Sequence, residues 1–281
     1  MKNILVTGAT GFIGKALCDR LKDDPQNRVI EHSRQHGGHI CCLDFNALPC
    51  RDFDQIYHLA STTRLDGVFS DTRADIRTIG LGTIRLLDNV IACCPRASVV
   101  YVSSFVAADP RPGSLYGASK QFAENVCRCY GFAHNLNVKI GRLCNVYGVG
   151  ERAELSKSPL TYILSRLIRN LPVEIYDEIS MRNFLYVDDV VSALLLIGAL
   201  GSPREEYDVG GGDCCPFKDI VNRAKELLHS SSDISCFAPP VRLRGVRVEN
   251  YRGDPGKLLA MGWRQTISLA EGIERVARFY G

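Results

Sequence analysis

Ile4-Leu5-Val6-Thr7-Gly8-Ala9-Thr10-Gly11-Phe12-Ile13-Gly14 decides the fold. An apolar run enters a glycine-punctuated turn and leaves as an amphipathic helix, with Ala16, Leu17 and Leu21 at helical spacing. Strand, glycine turn and helix in that order form a cradle for a dinucleotide. Gly8 permits the tight turn, Gly11 lets the backbone approach a pyrophosphate, and Gly14 lets the helix pack against the strand. The helix N-terminus then offers unpaired N–H groups and a partial positive charge to the phosphates.

Working outward, strand-like apolar runs recur at 3–7, 28–32, 39–43, 55–60, 98–103 and 138–143. Helical periodicities fall between most of them, near 12–24, 72–92 and 115–133. Such alternation predicts an α/β, Rossmann-like fold with a doubly wound parallel sheet. After Gly150 the rhythm changes to helices near 159–170, 187–200, 217–229 and 267–280. The expected division is a dinucleotide-binding domain over 1–150 and, over 151–281, a mainly substrate-binding lobe from which some segments return to the first domain.

The chain has 281 residues, 46% of them hydrophobic, and a formal charge of +3, enough apolar content for a large core. Its charges are interspersed, which argues against a nucleic-acid surface. Apolar stretches such as Val190 to Leu200 are too short for a bilayer, and Lys2 leads straight into a strand. A cytoplasmic protein is expected. Twelve cysteines spread over a chain of this size read as reduced thiols packed as small hydrophobes. His36-Gly37-Gly38-His39 lacks companion ligands at fixed spacing, so no metal is expected.

Tyr116-Gly117-Ala118-Ser119-Lys120 opens a predicted helix, which sets phenol and ammonium one turn apart on the same face. A nearby cation favours phenolate and suits the tyrosine to exchange a proton with an alcohol or carbonyl. Val99-Val100-Tyr101-Val102-Ser103-Ser104 ends a predicted strand just before it and supplies a hydroxyl for the same oxygen.

These motifs occur in a particular order: the Thr7–Gly14 turn, Tyr57-His58-Leu59-Ala60, Ser103-Ser104, Tyr116-x-x-x-Lys120, Gly141-Arg142-Leu143-Cys144-Asn145-Val146-Tyr147-Gly148, Arg182-Asn183-Phe184-Leu185-Tyr186-Val187-Asp188-Asp189 and Gly262-Trp263. The ordered set resembles the extended short-chain dehydrogenase/reductase superfamily of nucleotide-sugar epimerases, dehydratases and ketoreductases. The resemblance implies that Tyr116 is the acid/base, that Lys120 lowers its pKa and holds the nicotinamide ribose, and that Ser104 orients the substrate oxygen. It implies cofactor contacts at Gly8, Gly11, Phe12, Ile13, Gly14, Asp44, Phe45, Leu59 and Ala60, with Asp44 accepting from the adenine amine. It implies substrate contacts at Asn145, Arg182 and Arg244, the two arginines holding a diphosphate through their guanidinium forks. A homodimer built on the helices near 77–91 and 115–131 follows from the same resemblance.

Departures from the pattern carry information too. Where NAD users of the family place an acid for the ribose, this chain has Ser33 and Arg34, which fit a 2'-phosphate and favour NADP(H); Glu31 leaves NAD(H) open. Dehydratases carry an acid directly after the catalytic hydroxyl, whereas Phe105 and Val106 follow Ser104 here. The segment between Ser104 and Tyr116 is shorter than in hexose epimerases, Ile79 replaces a customary Asn, and Cys144 replaces an aromatic beside the nicotinamide. The expected activity is NADP(H)-dependent reduction of a keto group on a nucleotide-linked deoxysugar. A nucleotide-sugar 4-epimerase and a non-catalytic NADP-binding sensor or scaffold are the alternatives.

Overall fold

The computed structural model describes residues 1–62, 72–109, 114–153, 159–176, 181–211, 214–238 and 253–281. Along the chain, β1 (Lys2–Thr7), α1 (Phe12–Lys22), β2 (Asn27–His32) and β3 (Gln55–His58) come first. Then α2 (Thr72–Asp75) passes through a π-turn at Ile76–Leu81 into α3 (Gly82–Cys93). β4 (Ser98–Ser104), α4 (Leu115–Ala133), β5 (Asn137–Leu143), β6 (Asn145–Tyr147), α5 (Pro159–Ile168), β7 (Val173–Tyr176), β8 (Met181–Tyr186) and α6 (Val187–Leu200) follow. The remainder holds β9 (Glu206–Val209), β10 (Cys214–Pro216), α7 (Phe217–Leu227), β11 (Ile234–Phe237), α8 (Gly256–Ala260) and α9 (Leu269–Tyr280).

Six parallel strands form the central sheet in the order β2-β1-β3-β4-β5-β9. Because side chains alternate across a strand, Leu5, Ile56, Val99 and Tyr101 pack on one face with Leu86, Leu87 and Ala123 of α3 and α4. Val6, Tyr57, Val100 and Val102 pack on the other with Leu17 of α1 and Val190 and Leu194 of α6. The strand order reverses beside β1, and that opens a crevice at the carboxyl ends of β1 and β3.

Residues 39–43 are not the expected strand. The His39 ring accepts from Cys41 N at 3.2 Å and the Asp44 carboxylate from Asn46 N at 3.0 Å, capping two short 3-10 turns. The Leu43 carbonyl is taken by Arg85 Nε at 2.7 Å and Asn89 Nδ2 at 3.1 Å. Side chains thus satisfy backbone groups that a ladder would otherwise have to pair.

From the second half, β9 joins the central sheet beside β5. The rest builds a three-stranded sheet, β10-β8-β6, and a two-stranded one, β11-β7, packed with α5, α7 and α9. Asp189, 1% exposed, locks this half to α6 by accepting from Thr266 N, Thr266 Oγ1 and Ile267 N at 2.9, 2.6 and 2.9 Å. Cys18, Cys94, Cys127 and Cys144 are buried thiols, in line with their reading as packed hydrophobes, whereas Cys42 and Cys129 are exposed and depart from it. Among the described residues no helix is long and apolar enough to cross a membrane.

Candidate active site

The glycine turn closes against the end of β3. Gly8 takes φ +74°, and its N–H donates to His32 O at 2.8 Å. A Cβ there would stand 2.8 Å from Ala60 N and from the Leu59 carbonyl carbon, and one on Gly14 would stand 2.2 Å from Gly8 O. Helix α1 begins after Gly11 with no side-chain cap and no acid in its first turn. Its leading N–H groups, from Phe12 to Gly14, therefore keep their positive end for an anion. Such close backbone approaches beside an uncapped helix start, at the switch point of a parallel sheet, could hold a pyrophosphate, with Leu59 and Ala60 facing Gly8.

Beyond the end of β2, Ser33 is 5% exposed and shapes the loop: its Oγ accepts from His36 N at 3.2 Å, and the two backbones pair at 2.7 and 3.0 Å. Arg34 is exposed. It and Arg77 both lie close enough to His39 to oppose protonation of that ring, after burial, the larger cause. Arg77, from the π-turn, is a second cation at this end that the sequence does not announce. Glu31 is paired with Lys22 of α1. Asp44 spends one carboxylate oxygen on Asn46 N and Nδ2. The Phe45 ring is fully buried, edge-on to Phe53 at 5.0 Å, and its N–H donates to Asn89 Oδ1 at 3.0 Å.

At the reacting end, Ser104 closes β4 and Tyr116 opens α4, whose N-cap Ser114 accepts from Gly117 N at 3.0 Å. Burial pushes the Tyr116 phenol up to about 12, against hydrogen bonds from Ser61 and Ser104 that favour its ionised form. Lys120, 3% exposed, is pulled down to about 8 by burial. Its Nζ donates to Val102 O at 2.7 Å and stands 4.9 Å from the Tyr101 ring centre and 6.0 Å from that of Tyr116. Burial thus sets the net direction for the phenol, and the counterweight comes from two serine hydroxyls. Ser61 is the residue that sequence reasoning missed. Its Oγ also lies 2.8 Å from Thr62 O, the alternative acceptor for its single proton, and Thr62 Oγ1 donates to the Asp75 carboxylate. The only signal was a hydroxyl directly after Leu59-Ala60.

In the three-stranded sheet, Asn145 Nδ2 donates to Asn183 O at 3.1 Å, and the Asn183 amide brackets Gly211 at 2.8 and 2.9 Å. Arg182 lies on β8 opposite Cys215 of β10. Arg244 lies outside the described residues. The Phe105 ring, 8% exposed, lies beside Ser104 against Gly210 and Gly253. Cys144 is a buried thiol that burial pushes up to about 12, which leaves it unreactive near neutral pH. The structure thus brings Ser104, Tyr116 and Lys120 together at one end of the crevice and Gly8, Gly14, Leu59 and Ala60 at the other. Asn145 and Arg182 occupy the separate three-stranded sheet.

Residues 4–210 match the NAD dependent epimerase/dehydratase family. A dTDP-glucose 4,6-dehydratase of Streptomyces antibioticus is 27% identical over 314 residues, spanning 99% of this chain and 92% of that protein. The UDP-glucose 4-epimerase of Thermotoga maritima, solved with UDP-glucose, superposes with a TM-score of 0.84 at 25% identity, covering 99% of this chain and 98% of that one. RMD from Pseudomonas aeruginosa, solved with NADPH, shares the fold at TM-score 0.84 and 23% identity, covering 100% and 99%.

Proposed function

The chain belongs to the NAD-dependent epimerase/dehydratase family, and within it we propose an NADP(H)-dependent reductase of a keto group on a nucleotide-linked deoxysugar. The observation that carries the reading is Tyr116, hydrogen-bonded to Ser104, with Lys120 one helical turn on and no carboxylate after Ser104. Bound NADPH supplies the hydride. Ser104 then fixes the substrate oxygen, and Tyr116, a phenol at neutral pH, donates the proton to the forming alkoxide. Lys120 offers its ammonium to the ribose from its anchor on Val102. Phe105 gives the site an apolar wall where water expulsion from a sugar requires an acid, so the dehydratase reaction named for the Streptomyces relative is not proposed.

Arg34, with Arg77 near the same His39 ring, supports the 2'-phosphate of NADP(H), and Lys22 pairs with Glu31, the acid that would favour NAD(H). NADPH in RMD accords with this choice. The substrates named for the relatives, dTDP-glucose and UDP-glucose, support a nucleoside diphosphate sugar, with Asn145, Arg182 and Arg244 as its proposed holders. A homodimer is proposed on the exposed apolar face of Ile76, Leu81 and Phe122, and the cytoplasm as its compartment, from its cysteine usage. The likeness to the Thermotoga epimerase favours one second reading, C4 epimerisation.

One experiment separates the two. The purified protein is given NADPH with 4-keto-6-deoxy sugars linked to dTDP or UDP, and separately UDP-glucose without added reductant. Stoichiometric NADPH consumption with formation of the reduced sugar, abolished in Tyr116→Phe, supports the reductase. Formation of the C4 epimer of UDP-glucose without net NADPH use replaces it with the epimerase, and neither product from either assay moves a binding role ahead.

A further inference from the structure

A chain of hydrogen bonds runs beneath the crevice from the cofactor wall to the π-turn, and its proton positions follow from counting donors. Ala60 N donates to Thr7 Oγ1 at 3.3 Å; Thr7 Oγ1 meets His58 Nδ1 at 2.7 Å; His58 Nε2 meets Thr83 Oγ1 at 3.0 Å; and Thr83 Oγ1 donates to Ile79 O at 2.6 Å. Thr7, His58, Thr83 and Ile79 are each no more than 1% exposed. A hydroxyl owns one proton. Thr83 spends its proton on the Ile79 carbonyl, so its oxygen must accept, and His58 Nε2 must carry hydrogen. Thr7 already accepts from Ala60, and its proton finds an acceptor only at a bare His58 Nδ1. Both ends demand the same neutral tautomer. The opposite one breaks the Thr83–Ile79 bond and leaves the Thr7 proton buried without a partner among these contacts.

Two further groups keep the ring neutral. Burial lowers its proton affinity to about 3, and Lys120 from α4 and His32 from β2 add to that effect; the Tyr101 ring of β4 covers it at 5.6 Å.

We propose that His58 is a positioning residue for the dinucleotide: with Nδ1 bare and Nε2 protonated it takes the Thr7 proton, turns the Thr7 lone pair to Ala60 N–H, and so fixes the Leu59–Ala60 wall of the crevice. The inference rests on the dinucleotide reading of that crevice. The wall needs fixing because it follows the last residue of β3, where ladder pairing ends. Leu59 N already donates to the Thr7 backbone at 3.1 Å, and the side-chain chain fastens the next residue.

The two amides dissect the ring. An Asn oxygen lies as many bonds from Cβ as Nδ1 does and can take the Thr7 proton. A Gln amide lies as far as Nε2 and reaches only Thr83. Binding of NADPH and of NADH is measured by calorimetry for the wild type, His58→Asn, His58→Gln and Thr7→Val, with melting temperatures alongside. His58→Gln and Thr7→Val should weaken binding about five- to tenfold, the worth of one hydrogen bond, and no further when combined. His58→Asn should stay within about threefold of the wild type, although it loses as much of the ring. In the wild type, nitrogen-15 resonances of His58, assigned by their loss in His58→Asn, should show protonated Nε2 and bare Nδ1 from about pH 8 to pH 5. Equal losses in Asn and Gln that track the melting temperatures, or the opposite tautomer, overturn the proposal. Wild-type binding of neither dinucleotide overturns the cofactor reading and this inference with it. Wild-type binding left unchanged by His58→Gln overturns the inference alone.

Discussion

Ser103 and Ser104 are neighbours on β4 whose hydroxyls meet α4 two turns apart: Ser103 donates to the buried Glu124 at 2.7 Å, and Ser104 hydrogen-bonds Tyr116. Burial opposes the Glu124 charge, but Arg142, Ser103 and Arg128 outweigh it and hold the carboxyl below its ordinary range. Arg142 contributes bonds of 2.9 and 2.6 Å, and Arg128 one of 2.9 Å. The Ser103 side therefore ties α4 to the sheet one turn beyond Lys120, and the Ser104 side faces the chemistry.

Adjacent alanine substitutions should separate accordingly. Ser103→Ala should lower stability by about 1 kcal/mol in denaturant unfolding and spare turnover of a keto substrate. Ser104→Ala should unfold like the wild type and lose roughly 10²-fold in kcat, the scale of removing one oxyanion donor. The same loss of kcat in both variants would contradict this division.

What the sequence made legible was local. The strand, turn and helix at Ile4 to Gly14 read correctly because three glycines and two apolar periods lie within one short stretch, and Tyr116 and Lys120 read as a pair because four residues make one helical turn. What escaped depended on distant segments meeting. Ser61 gains its role from α4, far along the chain, and His58 from Thr7 and Thr83. The run at 39–43 is apolar enough for a strand, yet the caps from His39 and Asp44 and the grip of Arg85 and Asn89 on Leu43 decide otherwise. Strand β9 was hidden among helices because four residues carry little period.

Arg34→Ala should weaken NADPH binding at least tenfold and leave NADH within about twofold, because the guanidinium pairs only with the extra phosphate. Arg77→Ala should act in the same direction and less. Calorimetry with both dinucleotides reads the ratio; equal loss for NADH would assign Arg34 to the loop, not to the phosphate.

Phe122 is 47% exposed on α4 and packs over Gly80 of the π-turn, where an added Cβ would meet its ring at 3.2 Å. Ile76 and Leu81, each 50% exposed, extend the apolar surface. Phe122→Glu should convert a dimer to a monomer at micromolar concentration, since a carboxylate buried between two copies lacks a partner. Light scattering decides, and a wild-type protein that is already monomeric removes the claim.

Lys120 should show function held at a cost to stability. Its native pKa, about 8, lies below the 10.5 of an ordinary lysine. Below about pH 8 the ammonium is charged in both states, and the burial cost is fully present. Between about 8 and 10.5 the unfolded chain keeps a proton that the native one has released, so stability rises with pH. Above that range the cost has gone. The gap corresponds to about 3 kcal/mol at most, reduced by the Val102 hydrogen bond that a replacement forfeits. Lys120→Met should therefore melt higher than the wild type at pH 7, with the advantage shrinking toward pH 10, while turnover collapses. Lys139, likewise pulled down to about 8 by burial, adds the same slope to both proteins and cancels in the comparison. A Lys120→Met protein that melts lower at pH 7 would mean that the bond to Val102 outweighs desolvation, and that the ammonium supports the fold as well as the site.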